Sequence, residues 1–184
     1  EIKNVTTQEV TTIRVDSGTY VASVTLASND DVLVTVKKKG LAFNSTYISS
    51  HDTLFSSPSE LDIDMQSLEE GKSFNIDNIY FDNDSYELKY AAKEVVIEFS
   101  KYLQINKDLI IEINGFTDDI GDESYNQLLS ENRAKAVTDL ILMQGVSQQR
   151  VFYNGFGESF PVFTNETEKG RGKNRRTEFK VISQ

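Results

Sequence analysis

The sequence predicts an α+β protein: a small N-terminal β-sandwich-like module (residues 1–50), a connector (51–72) and a two-layer α/β sandwich (73–184). Three observations predict it. The first fifty residues alternate apolar and polar positions with a period of two and are rich in β-branched side chains, the pattern of half-buried strands. From Ser73 the rhythm changes, and two long segments space their apolar residues three or four apart, as amphipathic helices do. Short apolar runs separate those segments. The resulting order, β-α-β-α-β-(α)-β, places helices against one face of a sheet.

In the first part, Val10, Thr12, Arg14 and Asp16 alternate with Thr11, Ile13 and Val15, a strand that ends at the turn Asp16-Ser17-Gly18. Tyr20, Ala22, Val24 and Leu26 share one face of a second strand. After the turn Asn29-Asp30-Asp31, Val32, Val34 and Val36 mark a third, closed by Lys37-Lys38-Lys39-Gly40, and Leu41 to Ile48 a fourth. The connector carries Ser56-Ser57-Pro58-Ser59 and the acids Glu60, Asp62, Asp64, Glu69 and Glu70. Within it, Leu61, Ile63 and Met65 alternate like an edge strand, and Gly71 marks the boundary turn.

In the second part, Phe74, Ile76, Ile79 and Phe81 predict a strand ending in Tyr80-Phe81-Asp82. Leu88, Ala92, Val95, Phe99 and Leu103 predict a helix over residues 86–104, and Leu109 to Ile113 a buried strand. A second helix runs from Ser124 to Gln144, with Leu129, Ala136, Val137, Leu140 and Ile141 on its inner face and Gly145 as its stop. A strand at Arg150 to Asn154, a short helix at Glu166 to Asn174 and a last strand at Arg176 to Ile182 complete the order.

Composition removes several function classes. The net charge is −10, shared equally between residues 1–72 and 73–184, which argues against nucleic acid or an anionic membrane face as the main partner. The one basic run, Lys169 to Arg176, lacks interleaved aromatics and reads as a solvated helix with one ligand-facing arginine. The absence of cysteine excludes disulfides, thiolate metal sites and a cysteine nucleophile. The single histidine, His51, falls in the connector, so a serine triad has no base. Asp82-Asn83-Asp84 alternates acids like a calcium loop, but the sixth position is Glu87 where glycine is required. Asp118-Asp119-Ile120-Gly121-Asp122 fails the same test. No metal or cofactor is expected, and no enzymatic activity. No run approaches the roughly 20 apolar residues that span a bilayer. The chain opens on Glu1 rather than methionine, which fits a mature or trimmed chain with any anchor or export signal upstream.

The residues with chemistry to offer cluster between Asn114 and Val137. The strand Leu109 to Ile113 ends in Asn114-Gly115, an acidic turn (Asp118, Asp119, Asp122, Glu123) follows, and the helix then carries Asn126 and Arg133 on one side. Asp122 and Glu123 suit a helix N-terminus, as a cap and a favourable charge on the dipole. Asp118 is different, because the loop after a buried strand is where α/β scaffolds present ligand groups. Arg133 has Leu129 and Val137 four residues away on either side, so its anionic partner must come from elsewhere in the chain or from a ligand. A carboxylate and a guanidinium facing one pocket suit a zwitterion: the first takes an ammonium, the second a carboxylate in a bidentate pair.

Five segments in one order across residues 73–184 resemble the OmpA-like C-terminal domain, the peptidoglycan-associating family that includes Pal-type lipoproteins and the MotB stator domain. They are Ile79-Tyr80-Phe81-Asp82-x-Asp84-Ser85-x-Glu87-Leu88, Gly115-Phe116-Thr117-Asp118-x-x-Gly121, Tyr125-Asn126-x-x-Leu129-Ser130-x-x-Arg133-Ala134-x-x-Val137, Gly155-Phe156-Gly157-Glu158-x-x-Pro161 and Asn174-Arg175-Arg176-x-Glu178. The resemblance implies non-covalent binding of the diaminopimelate-containing stem peptide of peptidoglycan. It implies that Asp118 pairs with the ligand ammonium and Arg133 with its carboxylate. Phe81, Asp82, Thr117 and Asn126 match pocket positions, and Arg175 and Arg176 match a pair of which either could face the ligand. Phe116 stands where the family usually has histidine, and Asn132 where it usually has arginine.

The resemblance further implies a periplasmic place at the outer membrane and partners in an envelope or secretion complex. The alternative is an OmpA-like domain that has lost wall binding and serves as a protein-protein module. Upstream, Gly18-x-Tyr20 and Val34-x-Val36-Lys37-x-Lys39-Gly40-Leu41 resemble carboxypeptidase-regulatory-like sandwich domains, which are non-catalytic modules. Asp52-Thr53-Leu54 resembles a periplasmic O-glycosylation site of some Gram-negative groups.

Overall fold

A computed structural model describes residues 1–14, 30–50, 65–82 and 84–184. Its described strands form two four-stranded sheets. The first is antiparallel, in the order β2-β1-β3-β4, built from β1 (Ile2–Asn4), β2 (Val10–Thr11), β3 (Val32–Val36) and β4 (Asn44–Ile48). The alternation of Val32, Val34 and Val36 predicts β3 as observed. The first strand differs from expectation: of its described residues, 10–14, only Val10 and Thr11 pair, with Ile2 and Lys3 of a strand that the alternation did not single out. The strand expected at residues 20–26, His51, Thr53 and the alternation at Leu61 and Ile63 lie outside the described residues.

The second sheet follows the order β-α-β-α-β-α-β: β5 (Ser73–Asn75), α1 (Tyr90–Ile105), β6 (Ile110–Gly115), α2 (Glu123–Met143), β7 (Val151–Gly155), α3 (Glu168–Asn174) and β8 (Thr177–Ser183). The strands lie in the order β5-β8-β6-β7, with β6 and β7 parallel and the other pairs antiparallel. The expected strand through Phe81 stops instead at Asn75. Asp77 and Asn78 turn the chain, Asn78 taking a left-handed φ of 67° that asparagine tolerates, and Ile79 to Asp82 run on as irregular backbone. The first helix begins at Tyr90 rather than residue 86, because Lys89 is still extended at φ −66° and ψ 161°.

Helix α2 matches its signals. The Asp122 side chain caps it by accepting from the amides of Ser124 (2.9 Å) and Tyr125 (3.3 Å). Hydrogen bonds from Ser124, its hydroxyl first, and from Tyr125 hold the Asp122 carboxyl below its usual value. Two glycines let the helix approach the sheet. A Cβ on Gly115 would lie 2.3 Å from the Ser130 carbonyl oxygen, and one on Gly155 would lie 2.3 Å from the Glu131 nitrogen.

Helix α1 is shared by both sheets. Phe99 meets Phe179 of β8 with ring centroids 5.1 Å apart and Phe43 of the N-terminal part at 5.2 Å. A single apolar core therefore runs from Val5 and Leu33 through Phe99 and Tyr102 to Ile113 and Val181. A row of α1 side chains spaced four apart, ending at the residue just past its last turn, adds polar contacts to the N-terminal sheet. The Tyr90 hydroxyl accepts from Gln8 (3.0 Å), Glu94 takes Lys3 (2.6 Å) and Glu98 takes Lys37 (2.6 Å). The Tyr102 hydroxyl donates to the Leu41 carbonyl (2.8 Å), and the Asn106 side-chain oxygen accepts from the Gly40 amide (3.0 Å).

Candidate functional site

Strands β6 and β7 both end at glycines, Gly115 and Gly155, and β8 starts at Thr177 beside them. Their loops therefore meet at one end of the sheet. Backbone hydrogen bonds hold them: Phe116 N to Arg176 O (3.1 Å), Thr117 N to Gly157 O (2.8 Å) and Phe156 N to Gly115 O (3.0 Å). The irregular segment after β5 crosses the same end. Together they enclose a cavity of about 210 Å3 lined by Ile79, Tyr80, Phe81, Phe116 and Arg133 and by Gly172, Arg175, Arg176 and Thr177.

Arg133 reaches this cavity from the middle of α2 and is only 7% exposed. Its partners are not carboxylates. Nε donates to the Ser85 carbonyl (2.9 Å), Nη2 donates to the Asp82 carbonyl (3.1 Å), and the guanidinium sits 5.0 Å from the centre of the Phe81 ring. Two carbonyls and an aromatic face orient the cation without neutralising it. Burial pulls its pKa down, and the negative charge of Asp118 is the largest influence opposing that. The fork keeps Nη1 for a further acceptor, with no hydrogen-bond partner among the described residues.

Asp118 is 8% exposed. Oδ1 accepts from the Ile120 amide (3.2 Å), and Oδ2 accepts from Arg175 Nη1 (2.5 Å). Arg175 also donates from Nη2 to Glu168 Oε1 (2.6 Å). Burial alone would lower the Arg175 pKa, but the hydrogen bonds to Glu168 and Asp118 outweigh it and raise the value. Arg176 is arranged differently. Its guanidinium carbon lies 3.7 Å from the centre of the Phe116 ring, and it bonds Glu178 (2.6 Å) and the Phe160 carbonyl (3.2 Å). Both arginines line the cavity, Arg175 joined to Asp118 and Arg176 laid on an aromatic wall.

The remaining predicted residues support this end of the sheet in different ways. The Asn126 side chain donates to the carbonyls of Asp118 and Ile120 (both 3.3 Å) and to Glu158 (2.8 Å), so it ties the acidic loop to α2. The Thr117 hydroxyl is buried and has no hydrogen-bond partner among the described residues. Phe81 forms cavity wall. Asp82 contributes its carbonyl, while its carboxylate turns outward to Lys89 (2.5 Å). Phe116, the departure from histidine, stacks on Phe156 (5.3 Å) and carries Arg176.

Several contributors were not singled out as site residues from the sequence. Glu158, the acceptor for Asn126, lies in the Gly155-Phe156-Gly157-Glu158 segment, whose spacing marked it without assigning a role. Glu168 lies seven residues before Arg175, two helical turns away on one side, a spacing that could have been read as a pair. Ile79, Tyr80, Gly172 and Thr177 also line the cavity, and none of them carries a charge that would mark it.

The OmpA family model matches residues 80–175, which takes in Phe81, Asp118, Arg133 and Arg175. Outer membrane protein A of Bordetella avium is 34% identical over 110 residues, covering 59% of this chain. The chain spans 56% of that relative's length. The crystal structure of the peptidoglycan-associated lipoprotein from Burkholderia pseudomallei superposes with a TM-score of 0.53 at 29% identity, covering 56% of this chain and 87% of that one. The cell wall anchor of the type VI secretion system (T6SS) from Pseudomonas aeruginosa gives a TM-score of 0.53 at 26% identity, covering 61% and 80%. By their names these are an outer membrane protein, a peptidoglycan-associated lipoprotein and a cell wall anchor. Since the family model takes in more than half of its 184 residues, this chain belongs to the OmpA family.

Proposed function

We propose that the cavity binds the diaminopimelate-containing stem peptide of peptidoglycan without covalent chemistry, and so anchors an outer-membrane or envelope complex to the cell wall. One observation carries the reading: buried Arg133, oriented by two carbonyls, keeps a donor for a ligand carboxylate and feels the charge of buried Asp118. The two groups suit the carboxylate and ammonium of an amino-acid end. Phe81 supplies an apolar wall for the methylene chain between the two ends of diaminopimelate. Thr117 and Asn126 shape the loop that presents Asp118, and Arg175 and Arg176 supply further positive charge. The names of the similar lipoprotein and secretion-system anchor support a wall partner and a periplasmic place at the outer membrane. A secretion assembly is the parent complex we favour. Residues 73–184 would be the binding unit, joined by 51–72 to the β module 1–50.

The second reading, a family domain that has lost wall binding and acts as a protein-protein module, is favoured by one observation. Asp118 already has a guanidinium partner within the chain. Co-sedimentation with purified peptidoglycan separates the two. The first reading expects the protein to pellet with the wall and Asp118→Ala and Arg133→Ala to remain in solution. Removing half of a desolvated charge pair costs about 2–5 kcal/mol, enough to abolish a modest affinity. A wild-type protein that stays in solution would favour the second reading. Variants that pellet fully would reject the site.

A further inference from the structure

The acid read as the ammonium site is not empty-handed. Arg175 Nη1 lies 2.5 Å from Asp118 Oδ2, so a guanidinium of the chain holds the position a ligand ammonium would take. The same guanidinium has a second carboxylate outside the cavity, Glu168, at 2.6 Å. Glu168 is itself supported by Arg171, whose Nη2 and Nε donate to it at 2.9 and 3.2 Å. The Arg175 backbone is fixed at the end of α3, where its amide donates to the Arg171 carbonyl (3.0 Å). Its side chain is 37% exposed. It is therefore tethered at its base and held at its tip by two acids, buried Asp118 and exposed Glu168.

This arrangement sets what a ligand must bring. A ligand with an ammonium alone has to displace a guanidinium from Asp118. It exchanges one charge-assisted hydrogen bond for another and leaves Arg175 short of an acceptor, so little is gained. A ligand with ammonium and carboxylate on one carbon supplies Arg175 with a new acceptor as it loses Asp118. That carboxylate also meets the Nη1 of Arg133. The exchange is then favourable on both sides.

Resting on the stem-peptide reading, we propose that Arg175 is a specificity-determining residue: an internal occupant of the Asp118 subsite that makes the cavity select the amino-acid end of diaminopimelate over the plain ammonium of a lysine side chain. Discrimination of this kind comes from what the wrong ligand leaves unpaired.

The test is calorimetric titration of the full chain with two soluble tripeptides, L-Ala-γ-D-Glu-meso-diaminopimelate and L-Ala-γ-D-Glu-L-Lys. Wild type should prefer the first by at least about tenfold. In Arg175→Ala the lysine peptide should bind about fivefold tighter than to wild type while the diaminopimelate peptide weakens, so that the preference collapses. Glu168→Gln, which leaves the cavity lining intact, should tighten the Arg175 hold on Asp118 and weaken the diaminopimelate peptide several-fold. An Arg175→Ala variant that weakens both peptides equally, or neither, overturns the proposal while the binding site stands. Binding of neither peptide by wild type, or undiminished diaminopimelate binding by Asp118→Ala, overturns the underlying site reading instead.

Discussion

Glu98 is the residue whose removal should most damage the joint between the N-terminal sheet and the rest of the chain. It is 1% exposed and accepts from Lys37 (2.6 Å) and Lys101 (2.7 Å). Lys37 is 5% exposed at its side chain, whereas Lys101 is 47% exposed and can return to water. Glu98→Ala thus strands one buried ammonium, which among the described residues keeps only Glu1 as a partner. Breaking a buried pair by removing one member costs about 3–5 kcal/mol. The remaining contact to Glu1 places the expected loss at the lower end, about 3 kcal/mol. For a chain of this size that lowers Tm by roughly 6–12 °C. Replacing both members, Lys37→Met with Glu98→Leu, should leave stability within about 1 kcal/mol of wild type, because neither charge is then stranded. Urea unfolding followed by circular dichroism measures both. A single variant within about 0.5 kcal/mol of wild type, or a double variant worse than the single, would refute the reasoning.

Other consequences follow from the same contacts. Burial alone would raise the Glu98 pKa, but hydrogen bonds from Lys101 and Lys37 hold it below its ordinary 4.5. A carboxyl depressed in the folded state contributes stability above its unfolded pKa and loses it as pH falls through the folded value. Stability measured by urea titration should therefore decline as pH drops below about 4.5, and part of that decline should vanish in Glu98→Ala. Gly115→Ala would drive a methyl group against the Ser130 carbonyl, and should cost about 1–3 kcal/mol by thermal unfolding, since backbone rather than a side chain must move. Arg150 donates to the carbonyls of Leu103 (3.0 Å), Asn106 (2.6 Å) and Leu109 (2.9 Å), closing the end of α1 onto β6. Arg150→Met should cost about 1–3 kcal/mol in the same assay, because those carbonyls lose a charged donor.

The C-terminal fold was legible because its signals are local. The Asp122 cap, the apolar row Leu129, Val137 and Ile141, and the stop at Gly145 each act within a few residues of the element they define. The strand expected through Phe81 failed for a physical reason. Ile79 and Phe81 keep one apolar face because the irregular segment packs against the core and the cavity, and a buried face with strand-like spacing does not require strand pairing. The joint along α1 was invisible. Glu94, Glu98 and Lys37 look like solvated charges in sequence, and only the approach of the N-terminal sheet makes them buried partners. At the site, Asp118 stood out as an acid on the loop after a buried strand, and Arg133 because its own helical row offers no acid. The partners of Arg133 were hidden, since a backbone carbonyl has no residue signature. The pairing of Arg175 with Asp118 was hidden because it joins residues 57 apart.

The central claim is that one cavity, lined by Phe81, Arg133 and Arg175, with Asp118 behind it bonded to Arg175, receives an amino-acid end of the wall peptide. Titrating the isotope-labelled protein with the soluble diaminopimelate tripeptide and following backbone amide shifts by NMR tests it most directly. The account predicts saturable shifts at Ile79 to Asp82, Phe116 to Ile120 and Gly172 to Thr177, lost together in Arg133→Ala. Shifts centred elsewhere on the molecule, or unchanged binding in that variant, would contradict it.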